Sequence, residues 1–172
     1  FRARPNDSYS SKVIADFGVN TLKKQKWAII HSTDAFGSGG MNALVSALKA
    51  YGVTPVLIQG YTNNSQDFTP VVLAIKKSGA DVIGTYMTNS PDVGIFAKQL
   101  RQLGVTAEWV GSPSVVTDTA MKLAGPALSG VYGIAARHTD RAGPGAVYTF
   151  ALGGTAKAPD FVKYRLGELV QG

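Results

Sequence analysis

The chain contains no cysteine, which excludes disulfide frameworks, thiolate zinc centres and cysteine nucleophiles together. It contains two histidines, His31 and His138, so general-base chemistry has few candidates. Acidic residues are scarce, 11 against 17 Lys and Arg, giving a formal net charge of +6 and a sequence pI of about 9.6. Such a balance raises the question of nucleic acid, but the charge is scattered. The densest run, Lys23-Lys24-Gln25-Lys26, has no aromatic ladder beside it and reads as a solvated turn. No nucleic-acid partner is expected. No run approaches the roughly 18 apolar residues of a membrane span, so the chain reads as not membrane-embedded. It opens Phe1-Arg2-Ala3-Arg4-Pro5, without an initiator Met or a signal-peptide pattern, which suggests a mature product or a fragment.

What is present is 172 residues, 45% of them hydrophobic, enough for one globular core. Apolar periodicity predicts a helix over about 8–22, carrying Val13, Ile14, Phe17 and Leu22. A β-prone run follows at 27–32. Met41, Leu44, Val45, Leu48 and Tyr51 then form an amphipathic stripe stopped by Gly52. Further strands are predicted near 54–60, 82–87, 108–111 and 130–135. Between them lie a helix capped by Asp67, a helix opened by Ser90-Pro91-Asp92 and a short helix at 117–123. This alternation predicts an α/β fold: a mostly parallel five-stranded sheet with helices on both faces, flavodoxin-like in order, its second strand at an edge beside the first. In such sheets ligands sit beyond the carboxyl ends of the strands. Those ends, 32–37, 61–64, 88–90 and 112–115, are rich in Ser, Thr and Asn.

The stretch STDAFGSGGMN after the first strand invites three readings. A dinucleotide fingerprint would need a third glycine where Asn42 stands, and an acidic residue at the end of the next strand, which reads Gln59-Gly60-Tyr61. No Gly-Lys-Ser/Thr makes a phosphate loop, and no G-x-S-x-G makes a hydrolase elbow. Asp34 and Asp92 are the carboxylates available for acid–base work, and nothing in their spacing brings them together. His31 reads as packed within its strand. The remaining reading is a pocket rim, lined by hydrogen-bonding groups, with no metal and no cofactor. Phe36 would be either a staple on its own helix or an apolar wall against a solute.

Taken together, FRARPNDSYSSKVIADF, WAIIHSTDAFGSGGMNALVSALKAYGVTPV, SQDFTPVVLAIKKSGADVI, PDVGIFAKQLRQLGVTAEWVGS and LAGPALSGVYGIA resemble the second lobe of type I periplasmic solute-binding proteins. The subgroup they resemble is that of the leucine and branched-chain amino-acid receptors of ABC transporters. The resemblance covers about residues 1–135 well and the rest loosely. It implies a periplasmic, non-enzymatic receptor of two lobes that traps a small-molecule solute and hands it to the transporter permease. It also implies ligand contacts at Phe36, in the family's aromatic-Gly pair where Tyr is usual, and at Thr88 and Asn89. The family's acidic residue for a ligand ammonium matches about Pro113, flanked by Ser112 and Ser114. Either Asp34 or Asp92 then supplies the counter-charge, or the solute lacks an ammonium.

Phe36, Asn89 and 112–114 are expected to cluster on one side of the sheet with side chains at least partly accessible. By the same resemblance, residues 1–136 form the ligand-facing lobe. Residues 137–172 form an irregular or helical tail, two helices with no strand after them, left over from the other lobe. Phe150, Phe161, Tyr164, Leu166 and Leu169 would then lack a partner surface, fold back irregularly or pack against a second copy. Two other classes share such a pocket. A sensory domain would carry a transmembrane segment beyond these termini, and a small α/β enzyme would show turnover.

Overall fold

The computed structural model describes residues 7–135 and 149–151. In chain order the elements are α1 (Asp7–Asp16), β1 (Trp27–Ser32), α2 (Ala35–Lys49), β2 (Leu57–Tyr61), α3 (Thr69–Ser78), β3 (Val82–Tyr86), α4 (Ser90–Gln102), β4 (Glu108–Gly111), α5 (Asp118–Ala124), β5 (Tyr132–Ala135) and β6 (Thr149–Ala151). The strands form one sheet in the order β2-β1-β3-β4-β5-β6, and every pairing is parallel. The five expected strands are all present, with β2 at the edge beside β1.

The structure departs from the sequence reading in several places, three of them as follows. β2 starts at Leu57 because Pro55 has no N–H to donate, so the ladder to β1 begins with Val56 N–H donating to Trp27 O at 2.8 Å. Asp67 does not cap α3; Phe68 occupies that position, while the Asp67 carboxylate accepts from the Thr69 amide at 2.9 Å. β6 lies in a stretch read as helical, and it adds a sixth strand against β5 through Gly133↔Thr149 and Ala135↔Ala151. The other expectations for the tail, residues 137–148 and 152–172, lie outside the described residues.

β1 is buried at all six positions and β3 at all five, as expected of central strands covered on both faces. Trp27 and Ile29 face α1 and α2 with Phe17, Leu44, Leu48 and Tyr86, whereas Ala28 and Ile30 face α3, α4 and α5. On the second face a run of edge-on aromatic pairs ties the helices to the sheet: Tyr61–Phe68 at 4.9 Å, Phe68–Phe96 at 5.5 Å and Phe96–Trp109 at 5.1 Å. From β1 the chain crosses over α2 to β2; from β3 it crosses the other way to β4. The carboxyl ends of β1 and β3 therefore flank the switch point of the sheet, where such folds leave a crevice.

Candidate functional site

The glycine-rich stretch after β1 is not a loop. α2 begins at Ala35, so Gly37, Gly39 and Gly40 lie in its first two turns. Asp34, extended at φ −76 and ψ 179, is the N-cap, and its carboxylate accepts from the Gly37 amide at 2.8 Å. The glycines allow close approach of helix to sheet. A Cβ on Gly37 would stand 2.1 Å from the Ser32 carbonyl oxygen, and one on Gly40 would stand 2.0 Å from the Tyr86 ring. Here the Tyr86 ring lies against the α2 backbone, and its hydroxyl meets Ser11 at 2.6 Å.

Around this corner the ends of β1, β2 and β3 are joined by side chains. The Ser32 hydroxyl donates to Asp34 Oδ1 at 3.0 Å and lies 3.0 Å from the Thr88 hydroxyl. Asn63 Nδ2 donates to Asp34 Oδ2 at 2.6 Å. The next residue, Asn64, sits in the left-handed region at φ 65, and its amide donates to Asp92 Oδ2 at 3.0 Å. Asn89 Nδ2 then donates to Asn64 Oδ1 at 3.0 Å. Asp34 and Asp92, which no sequence spacing brings together, are thus tied to adjacent residues of one turn.

Their environments push them in opposite directions. Hydrogen bonding from Thr88 foremost, then from Gly37, Asn63 and Ser32, holds the Asp34 carboxyl well below the usual carboxylate range, against the opposing effect of burial. Burial pushes the Asp92 carboxyl up, offset by the Asn64 amide and the nearby Tyr61 hydroxyl. That hydroxyl is itself buried without a partner in full hydrogen-bond geometry, and burial together with the Asp92 charge raises its pKa. The carboxylate of Asp34 is taken up by capping and that of Asp92 is 1% exposed, so the two do not form an open acid–base pair. His31 is buried in β1 with its Nδ1–H donating to Ser32 O at 2.8 Å, in keeping with a packed strand residue. Among the described residues no three His, Cys, Asp or Glu converge as a metal centre would require.

Phe36 is half-buried, tilted against Tyr86 at 5.8 Å, and, like Met41 and Val45, packs against the core on the α1 and α2 face of the sheet. It therefore keeps part of its ring free while also stapling α2. Thr88 is exposed and Asn89 half-buried. The fourth strand end departs from expectation. Ser112 is 0% and Ser114 9% exposed, and their hydroxyls lie 3.0 Å from each other. They turn inward because the Ser112 amide donates to Thr85 O at 2.9 Å and residues 113–116 wind into a short 3-10 turn. Pro113, between the two serines, is partly exposed. The sequence alone singles out none of Tyr61, Asn63 and Asn64 at this corner; the signal it does hold is their position at a strand end.

The profile of the periplasmic binding protein family matches residues 1–159. An amino acid binding protein of Pseudomonas aeruginosa is 36% identical over 125 residues, which cover 73% of this chain and 33% of that protein. Among solved structures, a leucine binding protein from Thermotoga maritima superposes with a TM-score of 0.76 at 17% identity, covering 83% of this chain and 40% of that one. A solute binding protein of an ABC transporter from Rhodopseudomonas palustris, solved with p-hydroxybenzoic acid, superposes with a TM-score of 0.73 at 22% identity, covering 83% of this chain and 39% of that one. The chain spans about a third of the length of the curated relatives it matches. By the extent of the family match, this chain belongs to the type I periplasmic binding proteins.

Proposed function

We propose that residues 1–136 form the ligand-facing lobe of an extracytoplasmic solute-binding protein, which delivers a small amino-acid-like solute, carboxylate or amide to the permease of an ABC transporter. The family consists of solute-binding proteins rather than enzymes, and this chain is read as binding without covalent chemistry. What supports the reading is that Asp34, Thr88 and Asn89 are joined through Ser32, Asn63 and Asn64 at the sheet's switch point, with the half-buried Phe36 two residues beyond Asp34. In this reading Phe36 is the apolar wall, Thr88 and Asn89 supply hydrogen bonds, and Pro113 supplies the contact from the Ser112–Ser114 segment. Asp34 supplies the negative charge for any ammonium. The relatives named above include receptors of amino acids and one solved with an aromatic acid that has no ammonium. Both chemistries fit a rim of neutral donors with one acid.

A single lobe offers about half of a two-lobed site, and association itself costs several kcal/mol. The chain should therefore bind its solute in the millimolar range or weaker, on the order of −4 kcal/mol. Amide chemical shifts recorded while titrating leucine, isoleucine and p-hydroxybenzoate into the 172-residue chain test this. Saturable shifts at Phe36, Thr88 and Asn89 support the reading. Shifts confined to other parts of the sheet would sink it, and micromolar binding would refute the half-site argument.

A further inference from the structure

The turn after β2, residues 62–66, carries the groups that shape the mouth, yet it is held from beneath. Asn64 adopts a left-handed conformation, which Asn tolerates better than most residues but which still needs an anchor. Its amide finds that anchor in Asp92, a side chain 1% exposed on the first turn of α4. α4 supplies two more bonds to the same turn. Asn89, its N-cap residue, donates to Asn64 Oδ1, and Gln99 donates from Nε2 to Gln66 O at 3.1 Å. On the other side of the turn, Asn63 donates to Asp34 at 2.6 Å. A chain of bonds thus runs from a buried acid, through two adjacent asparagines, to the half-exposed acid of the mouth.

From this chain of bonds we infer that Asp92 is a positioning residue: it fixes the turn so that Asn63 holds the Asp34 carboxylate and Asn64 receives Asn89. This rests on the reading of this end of the sheet as the solute-facing mouth. Tyr61, from the end of β2, is the titratable group that faces Asp92, and Asp34 lies beyond the two asparagines. A carboxylate at this position is not needed for its charge. An asparagine oxygen can accept the same Asn64 amide, whereas leucine fills similar space and accepts nothing.

The test uses the labelled 172-residue chain without any solute and follows the Asn64 amide and the Asp34 carboxyl carbon. Asp92→Leu should speed exchange of the Asn64 amide about tenfold or more and move the Asp34 titration upward. Asp92→Asn should return both towards the parent values. A lowered melting temperature in D92L with the Asp34 titration unmoved would overturn the inference and leave Asp92 as simple packing. If D92L fails to fold, amide exchange in the parent chain decides: the Asn64 amide bonded to Asp92 should be protected, and an Asn64 amide that exchanges as freely as an unbonded turn amide would overturn the inference. These readouts contain no solute, so failure of the transport reading leaves them standing.

Discussion

Two halves of the rim are built from the same residue types and present them in opposite ways. At the ends of β1, β2 and β3, Ser32, Thr88, Asn63, Asn64 and Asn89 bond across three different strand ends, which leaves Thr88 exposed and Asn89 and Asp34 half-exposed. At the end of β4, Ser112 and Ser114 bond to each other two residues apart and are buried. A hydroxyl that closes on its own segment satisfies itself locally and turns inward. Across the strand ends Ser32 is buried beneath the bonds it makes, while its partner Thr88 stays exposed. Polarity of a strand end is therefore a poor guide to its availability.

Glycine replacement should separate the two halves most sharply. Gly37→Ala sets a methyl 2.1 Å from the Ser32 backbone carbonyl, which cannot rotate away, so α2 must lift from β1 and the Asp34 cap must loosen. A loss of about 3 kcal/mol is expected in urea unfolding. Gly111→Ala, at the end of β4, meets the Val115 and Thr85 side chains at 2.4 and 2.8 Å, which can adjust in part. Its loss should be clearly smaller, and equal losses would break the comparison.

Next in size is the cap. Asp34→Ala removes the acceptor for Gly37, Ser32 and Asn63 and should cost about 1–2 kcal/mol at pH 7. The pH dependence carries a sign that distinguishes the two acids. Asp34 has a depressed folded-state pKa, so its contribution is present above the unfolded value of about 4 and lost as pH falls through the folded value. Asp92 has a raised one, so its contribution is full below about pH 4 and lost as pH rises through the folded value. Asp92→Asn should therefore gain stability relative to the parent as pH rises from 4 to 7, while the deficit of Asp34→Ala should stay nearly constant over that range and shrink only as pH falls below 4. Denaturation at the two pH values that gave the same slope for both variants would contradict the environments assigned to them.

The smallest effects concern single contacts. Phe36→Ala should weaken solute binding, read from the same chemical-shift titrations. It should also destabilise the chain modestly, because the half-buried ring rests on Tyr86. Ser114→Ala should lose about 1 kcal/mol, one hydroxyl pair, and leave solute binding unchanged. A binding loss in that variant would return the β4 end to the mouth.

Much of this was legible in the chain itself. Alternating apolar runs with two different periods predict the parallel α/β sheet, and they do so because burial on both faces of a central strand demands unbroken apolar residues such as Trp27–Ile30. The missing third glycine and missing Gly-Lys-Ser/Thr ruled out phosphate loops from local pattern alone. The tertiary structure decided what local pattern cannot carry. Gly37 and Gly40 read as loop residues until Ser32 and Tyr86, from the sheet, are seen to occupy the space their side chains would need. Ser112 and Ser114 read as available until backbone pairing to Thr85 turns them inward. Asp34 and Asp92 read as unrelated until Asn63 and Asn64 join them, because a link of 58 residues in sequence is made only when the strand order brings β2 and α4 to the same corner.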